Sequence, residues 1–372
     1  MRRFAIALVP ALLVAACGGE DPKPPVTPVQ PVDTAPPATT QPEPIAAPKP
    51  QPSMQDMQKA DLGLALEGLN GHDPKKFASV YAEDAVISVA GLNEVNGQHA
   101  IENNMKEWFE TFKDVKLGFS RVWAKGDTMV LEWVINGKHH GELFGVKGSE
   151  QQIGHYGLSI VHFKPDGKVS REHRYGELGT VMTQVGKAQK PRPVPAVPAT
   201  PETIESKSGD EANLEIAKKV HAALESKNEK DFTALLADDI EHDGLFALET
   251  TKGKADATKF FKAFTTAFPD AKFEVGRGLA IGDYAVVEST LKATHKGQLG
   301  TIAATKKPIA IHIVDLFKIK DGKVARAWTY QNSLELQQQL GLFNINAAGN
   351  VPASQTGPAP ATTAKPATPA KK

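Results

Sequence analysis

The stretch GLSIVHFKPDGKVSREHRYGELG, residues 157–179, has a counterpart in the second half of the chain, IVDLFKIKDGKVARAWTYQNSLELQQQLG, residues 313–341. Each runs from an apolar segment through Asp-Gly, at Asp166-Gly167 and Asp321-Gly322, into a second segment of strand-forming residues. Tight hairpin turns need positive φ at their centre, which Gly adopts freely and Asp tolerates, so each stretch reads as an antiparallel hairpin. The first strands, GLSIVHF and IVDLFKI, are apolar on both alternating faces. An antiparallel sheet in a lone small domain normally keeps one face wet, so the second face here needs a cover. The other copy is the nearest candidate, and an internal pseudo-dimer is the expectation.

Working outward, the segments 54–187 and 211–344 align when shifted by 155 or 156 positions: Gly126-Asp127 matches Gly282-Asp283, and His139 and Gly141 match His295 and Gly297. A period this long means two globular domains, because solenoid units are typically about 20–50 residues. Each copy places helices first. Asp73-Pro74 suits a helix start, since Asp caps free N–H groups and Pro at the first turn loses no hydrogen bond. Ile101, Met105, Trp108 and Phe112, and in the second copy Phe260, Phe264 and Phe268, recur at helical spacing as core stripes. TMVLEWVI (128–135) and YAVVESTL (284–291) then read as strands after Gly-Asp turns. Helices followed by strands indicate an α+β class with a mainly antiparallel sheet.

The rest of the 372 residues frames these domains. At the start, MRRFAIALVPALLVAACGGE sets Arg2 and Arg3 before an apolar run from Phe4 to Ala16, too short to span a bilayer. Val14-Ala15-Ala16-Cys17 resembles a bacterial lipobox, which implies a signal peptide over 1–16 and acylation of Cys17. Cys17 is the only cysteine, so no disulfide, thiol nucleophile or cysteine zinc site is expected. Gly18 in place of Asp points by resemblance to the outer membrane, facing the periplasm or the cell surface. Residues 17–53, 188–210 and 345–372 are rich in Pro, Ala and Thr without apolar periodicity, and read as a tether, a linker and a tail, all disordered and extended. Lys+Arg and Asp+Glu balance at 43 each, so the basic face that nucleic acid requires is not expected.

The segments KADATKFFKAFTTAFPDAKFEV (254–275) and DGKVARAWTYQNSLELQQQLG (321–341), with GQHAIENNMKEWFETFKDVKL (97–117) and GKHHGELFG (137–145) in the first copy, resemble the SnoaL-like polyketide cyclases of the nuclear transport factor 2 superfamily. The resemblance implies two tandem cone-shaped domains, each a curved sheet wrapped by N-terminal helices around a mostly apolar pocket. It also implies, for a cyclase, a carboxylate near the end of the last strand as general acid and base, helped by a polar side chain one strand earlier. Alignment puts that carboxylate at Glu177 in the first copy and at Asn332, which cannot take a proton, in the second. The strand partner would be His162 or Lys318. A cyclase or isomerase of this kind would therefore work through Glu177 and His162, although the plainer reading of Glu177 is a solvated carboxylate at a turn and that of His162 a strand-surface histidine.

Other residues are expected around the pockets. His139 and His295 recur at one position, consistent with a pocket mouth and equally with common descent. Trp133, His173, Tyr175, Trp328 and Tyr330 are sheet-packing residues expected in part to line a cavity, with Asn332 beside them. His242-Asp243 matches a family landmark that the first copy replaces with Ile87-Ser88. The eleven histidines form no HExxH or comparable spacing, so neither metal nor cofactor is expected. The leading functional expectation is a lipid-anchored cell-envelope module that binds a small apolar or amphipathic molecule. The alternatives are the cyclase or isomerase and a structural protein-interaction module.

Overall fold

The computed structural model describes residues 52–186, 192–207, 209–243 and 250–343. The expected signal peptide over 1–16, Cys17, the expected tether up to residue 51 and the expected tail over 345–372 lie outside the described residues. Among those described, no helix is long and apolar enough to cross a membrane.

The first copy runs α1 (Met54–Asn70), α2 (Pro74–Ala78), β1 (Tyr81–Val89), β2 (Val95–Asn96), α3 (Gln98–Thr111), β3 (Phe112–Lys125), β4 (Thr128–His139), β5 (Gln152–Phe163), β6 (Val169–Gly176) and α4 (Leu178–Val185). After β7 (Glu202–Glu205), the second copy repeats the order with α5 (Glu211–Glu225), α6 (Glu229–Ala234), β8 (Leu236–Asp243), β9 (Thr251–Lys252), α7 (Gly253–Ala267), β10 (Lys272–Ile281), β11 (Tyr284–Thr294), β12 (Pro308–Lys320), β13 (Lys323–Gln331) and α8 (Ser333–Leu340). Local chemistry sets these bounds. Ser53 and Asp56 form a reciprocal capping box at the start of α1, and the Asp73 side chain accepts from the Lys76 N–H beside Pro74 at the head of α2. The hairpin turns hold Gly167 at φ 86°, Asp321 at 51° and Gly322 at 70°, the positive values that Asp-Gly was read to supply.

The sheets have the orders β2-β1-β6-β5-β4-β3-β7 and β10-β11-β12-β13-β8-β9. Within each, the central hairpins are antiparallel, while β1 lies parallel to β6 and β8 parallel to β13. One face of each sheet packs on its own helices, giving two cores, one around Ile101, Trp133 and Phe163 and the other around Phe261, Phe264 and Ile313. The opposite faces pack on each other. Trp123, Leu158 and Ile160 of the first copy share a buried cluster with Ile281, Val286 and Leu316 of the second.

Across this contact run two matched polar sets. Arg121 grips Glu132, whose Oε1 also accepts the hydroxyl of Tyr330 from the other copy. Arg277 pairs with Glu288 at 3.4 Å, and Glu288 accepts the hydroxyl of Tyr175 at 2.7 Å. Each Tyr thus reaches the other copy's Glu. That reciprocity is the mark of a two-fold interface, in which the same patch serves both partners.

One expectation is corrected. The linker, expected to be disordered, lies against the first copy at Arg192, at Pro195 and over Glu202–Glu205. Asn136 donates to the Pro195 carbonyl at 3.1 Å, Gln184 donates to the Arg192 carbonyl at 3.1 Å, and β7 pairs with the edge strand β3 in parallel. A Cβ on Gly118 would meet the Pro198 carbonyl oxygen at 2.3 Å. Proline cannot donate, but its carbonyl accepts, so a Pro-rich chain can lie on a surface that offers side-chain amides. Once the prolines end, Glu-Thr-Ile-Glu can enter the ladder.

Candidate functional site

Strand parity decides which side chains reach each cone's interior, because successive residues point to opposite faces. On β4, Leu131, Trp133 and Ile135 face the helices; on β5, His155, Ser159 and Val161 do; on β6, Glu172, Arg174 and Gly176 do. With helix residues such as Leu66 and Trp108 they enclose a cavity of about 170 Å³, its wall mostly aliphatic and aromatic. The Trp133 indole fits because its cross-strand partner is Gly157, where a Cβ would stand 2.2 Å from the ring.

The polar floor of this cavity is closed on itself. Glu172 accepts from Ser159 Oγ at 2.7 Å and Arg174 Nε at 2.9 Å on one oxygen, and from Tyr81 Oη at 2.5 Å and Arg174 Nη2 at 2.8 Å on the other. Trp133 Nε1 in turn donates to Ser159 Oγ at 3.0 Å. Burial pushes the Glu172 carboxyl up, but the Arg174 guanidinium and the two hydroxyls outweigh it and hold the carboxyl below its usual range. Burial and the neighbouring carboxylate push Tyr81 well above an ordinary phenol. A carboxylate so paired is a weak base, so the group anchors the floor in place of accepting a proton from a ligand. His155 is different in kind. Its Nδ1 lies 3.0 Å from the Tyr156 carbonyl, which assigns the proton there and leaves Nε2 an acceptor. Burial lowers its pKa to about 4, so the ring is neutral near pH 7.

The second copy builds the same cone with different contents. Ser289 and Ile313 form the cross-strand pair that corresponds to Trp133 and Gly157, while Phe260, Phe273 and Phe317 stand where the first copy has Asn104, Leu117 and Val161. The cavity shrinks to about 50 Å³. Its floor has Asp315, Ala327 and Thr329 in place of Ser159, Glu172 and Arg174, with His221 Nε2 at 2.8 Å from Asp315 Oδ2.

The residues singled out from sequence are distributed as follows. Trp133 lines the first cavity and His242 the second. His173, Tyr175, Trp328 and Tyr330 lie on the opposite face, against the other copy: His173 Nδ1 sits 2.9 Å from Glu288 Oε1, and Arg121 stacks over the Trp328 ring at 3.9 Å. His162 joins them there, 3.1 Å from Thr128 Oγ1 and edge-on to His173, and burial lowers its pKa. Glu177 caps α4 and accepts from the Ser333 hydroxyl of the second copy at 2.6 Å; burial raises its pKa. Glu177 and His162 therefore do not meet in a common cavity. Asn332 caps α8 and donates to the Ala90 carbonyl at 2.9 Å. His139 and His295 are buried at strand ends, each 3.1 Å from a hydroxyl, Ser149 or Thr305, and neither is among the residues lining these two cavities. Among the described residues no cluster of His, Cys, Asp and Glu could hold a metal.

Tyr81, His155, Ser159, Glu172 and Arg174 were not singled out from sequence. The signal was available in SREHRYG (170–176): once Trp133 is taken as inward, the hairpin pairings make Ser159, Glu172 and Arg174 inward too.

A helix-wrapped sheet with an apolar cavity and a few convergent polar groups defines a small-molecule-pocket α+β cone, here present twice. The family is fixed by comparison: the SnoaL-like polyketide cyclase model matches residues 61–185 and 215–340, and the chain belongs to that family. Its tandem arrangement lies within one polypeptide. No curated protein matches the chain. Among solved structures, AclR from Streptomyces galilaeus is 23% identical, covering 36% of this chain and 98% of its own, with a TM-score of 0.33. TsrD from Streptomyces laurentii is 19% identical over 37% of this chain and 100% of its own, at 0.33. A protein with a ketosteroid isomerase-like fold from Catenulispora acidiphila, solved with trimethylamine, is 15% identical over 34% of this chain and 92% of its own, at 0.31.

Proposed function

We propose that the chain is an exported, lipid-anchored binding protein whose first copy holds one small apolar or amphipathic molecule. The observation that carries this reading is the first cavity, apolar in its walls and closed in its polar floor. Apolar cavities of about 150 Å³ take up benzene, so about 170 Å³ suits one or two fused rings and is too small for a multi-ring polyketide. A floor whose carboxylate is fully bonded favours holding over proton transfer. The Glu177 and His162 pair proposed for a cyclase lies outside this cavity, which leaves the acid–base alternative without its two groups in one place.

The binding reading predicts a small molecule, one per chain, in native mass spectra of the purified protein, and its loss in Leu131→Trp. Leu131 lines the cavity from a central strand, and an added ring there fills the space at a cost of about 1–3 kcal/mol. Equal occupancy in both proteins would remove the reading. Anchoring rests on the run Val14-Ala15-Ala16-Cys17 and on the long tether after it. Stable attachment takes more than one acyl chain, so metabolic palmitate labelling should mark the parent and not Cys17→Ser. Labelling that survives the substitution would rule out Cys17 as the acceptor.

A further inference from the structure

We infer that the second copy carries a separate site, for a small hydroxyl-bearing molecule of the alcohol or enol kind, with His221 Nδ1 accepting a hydrogen bond from its hydroxyl. Asp315 uses Oδ1 to accept the Thr329 hydroxyl at 2.6 Å and Oδ2 to face His221 Nε2 at 2.8 Å. A carboxylate only accepts, so Nε2 carries the hydrogen, and in the neutral tautomer that this fixes Nδ1 holds the lone pair. That nitrogen is buried and has no partner, in a residue 4% exposed that lines the second cavity. The ring cannot swing away to water, because it is stacked on Phe273 at 4.2 Å and 12° and is edge-on to Phe317. A buried acceptor without a donor costs about 1–3 kcal/mol, and native interiors rarely keep one.

Both members of the couple are particular to this copy. The α1 helix of the first copy contains no histidine, and Ser159 stands in the place of Asp315. The second cone thus lacks the Glu–Arg pair of the first and presents a fixed acceptor in a phenylalanine-lined space of about 50 Å³, room for a few heavy atoms. The occupant that fits is compact, apolar at one end and a hydrogen-bond donor at the other. This assignment is independent of what fills the first cavity.

The test uses the full chain, labelled with ¹⁵N, and two probes of similar size: ethanol, which donates a hydrogen bond, and acetonitrile, which only accepts. Ethanol should move the His221 Nδ1 resonance saturably in long-range ¹H–¹⁵N spectra, and acetonitrile should not. Ala327→Leu, which fills the same cavity from β13, should abolish the ethanol response, while Leu131→Trp should leave it intact. Equal responses to both probes, a response to neither, or an ethanol response that persists in folded Ala327→Leu would overturn the proposal. Should Ala327→Leu fail to fold, the comparison of the two probes on the parent protein still decides.

Discussion

Glu132→Ala is expected to lower unfolding free energy by about 3–5 kcal/mol, the usual range when one partner of a buried ion pair is removed. Glu132 sits on the face of β4 turned to the second copy, and its loss strands both the Arg121 guanidinium, which it binds through two nitrogens, and the Tyr330 hydroxyl. Arg121 also stacks on Trp328, so the damage extends across the contact. The matched change Glu288→Ala should cost less, because Arg277 approaches Glu288 only to 3.4 Å and keeps more exposed surface than Arg121. Urea unfolding followed by fluorescence measures both, and an undiminished midpoint in Glu132→Ala would mean that the sheets are not held together this way.

The second large effect is expected in the first cavity. Glu172→Ala should also cost about 3–5 kcal/mol, since it leaves Arg174 charged and unpaired beside two unsatisfied hydroxyls. Replacing the ion pair together, Glu172→Leu with Arg174→Met, should recover most of that loss, because an apolar pair of similar volume is often as stable as the salt bridge. A base needed for turnover would show the opposite pattern, with function lost in both variants whatever the stability. The pH dependence has a definite sign. Glu172 has a folded pKa below its unfolded value, so its contribution is complete above the ordinary carboxylate range and is lost as pH falls through the lower folded value. The double variant should therefore show a flatter acid limb in thermal melts than the parent. An identical limb would show that Glu172 is not one of the carboxylates responsible.

The fold was legible because its signals are local and occur twice. Asp-Gly turns, a capped Asp-Pro start and stripes at helical spacing each fix an element without reference to the rest, and the second copy repeats them. The need for a covered second sheet face was also legible, from strands apolar on both sides. The site was much less so, for a reason of parity. His173, Tyr175 and Glu177 alternate with Glu172, Arg174 and Gly176, and a one-residue slip exchanges the two faces of a strand completely. The histidine and the tyrosine stand at the odd positions of this strand, which face the other copy. Nothing within one strand reveals that Glu172 and Arg174 satisfy each other inside the cone.

Divergence between the copies was visible position by position but not in its consequence. Trp133 with Gly157 against Ser289 with Ile313 is an exchange of volume across one strand pair. It acquires meaning only when the pairing register is known. The same holds for His221 and Asp315, which are 94 residues apart in sequence and 2.8 Å apart in space.

The account rests most heavily on the first cone being open enough to admit a guest and the second too small for the same one. A fluorescence titration of the full chain with 1-naphthol, a fused two-ring alcohol, tests this directly. One molecule should bind per chain in the parent and none in Leu131→Trp, with Ala327→Leu unchanged from the parent. Two equivalent sites, or binding that ignores Leu131→Trp, would contradict it.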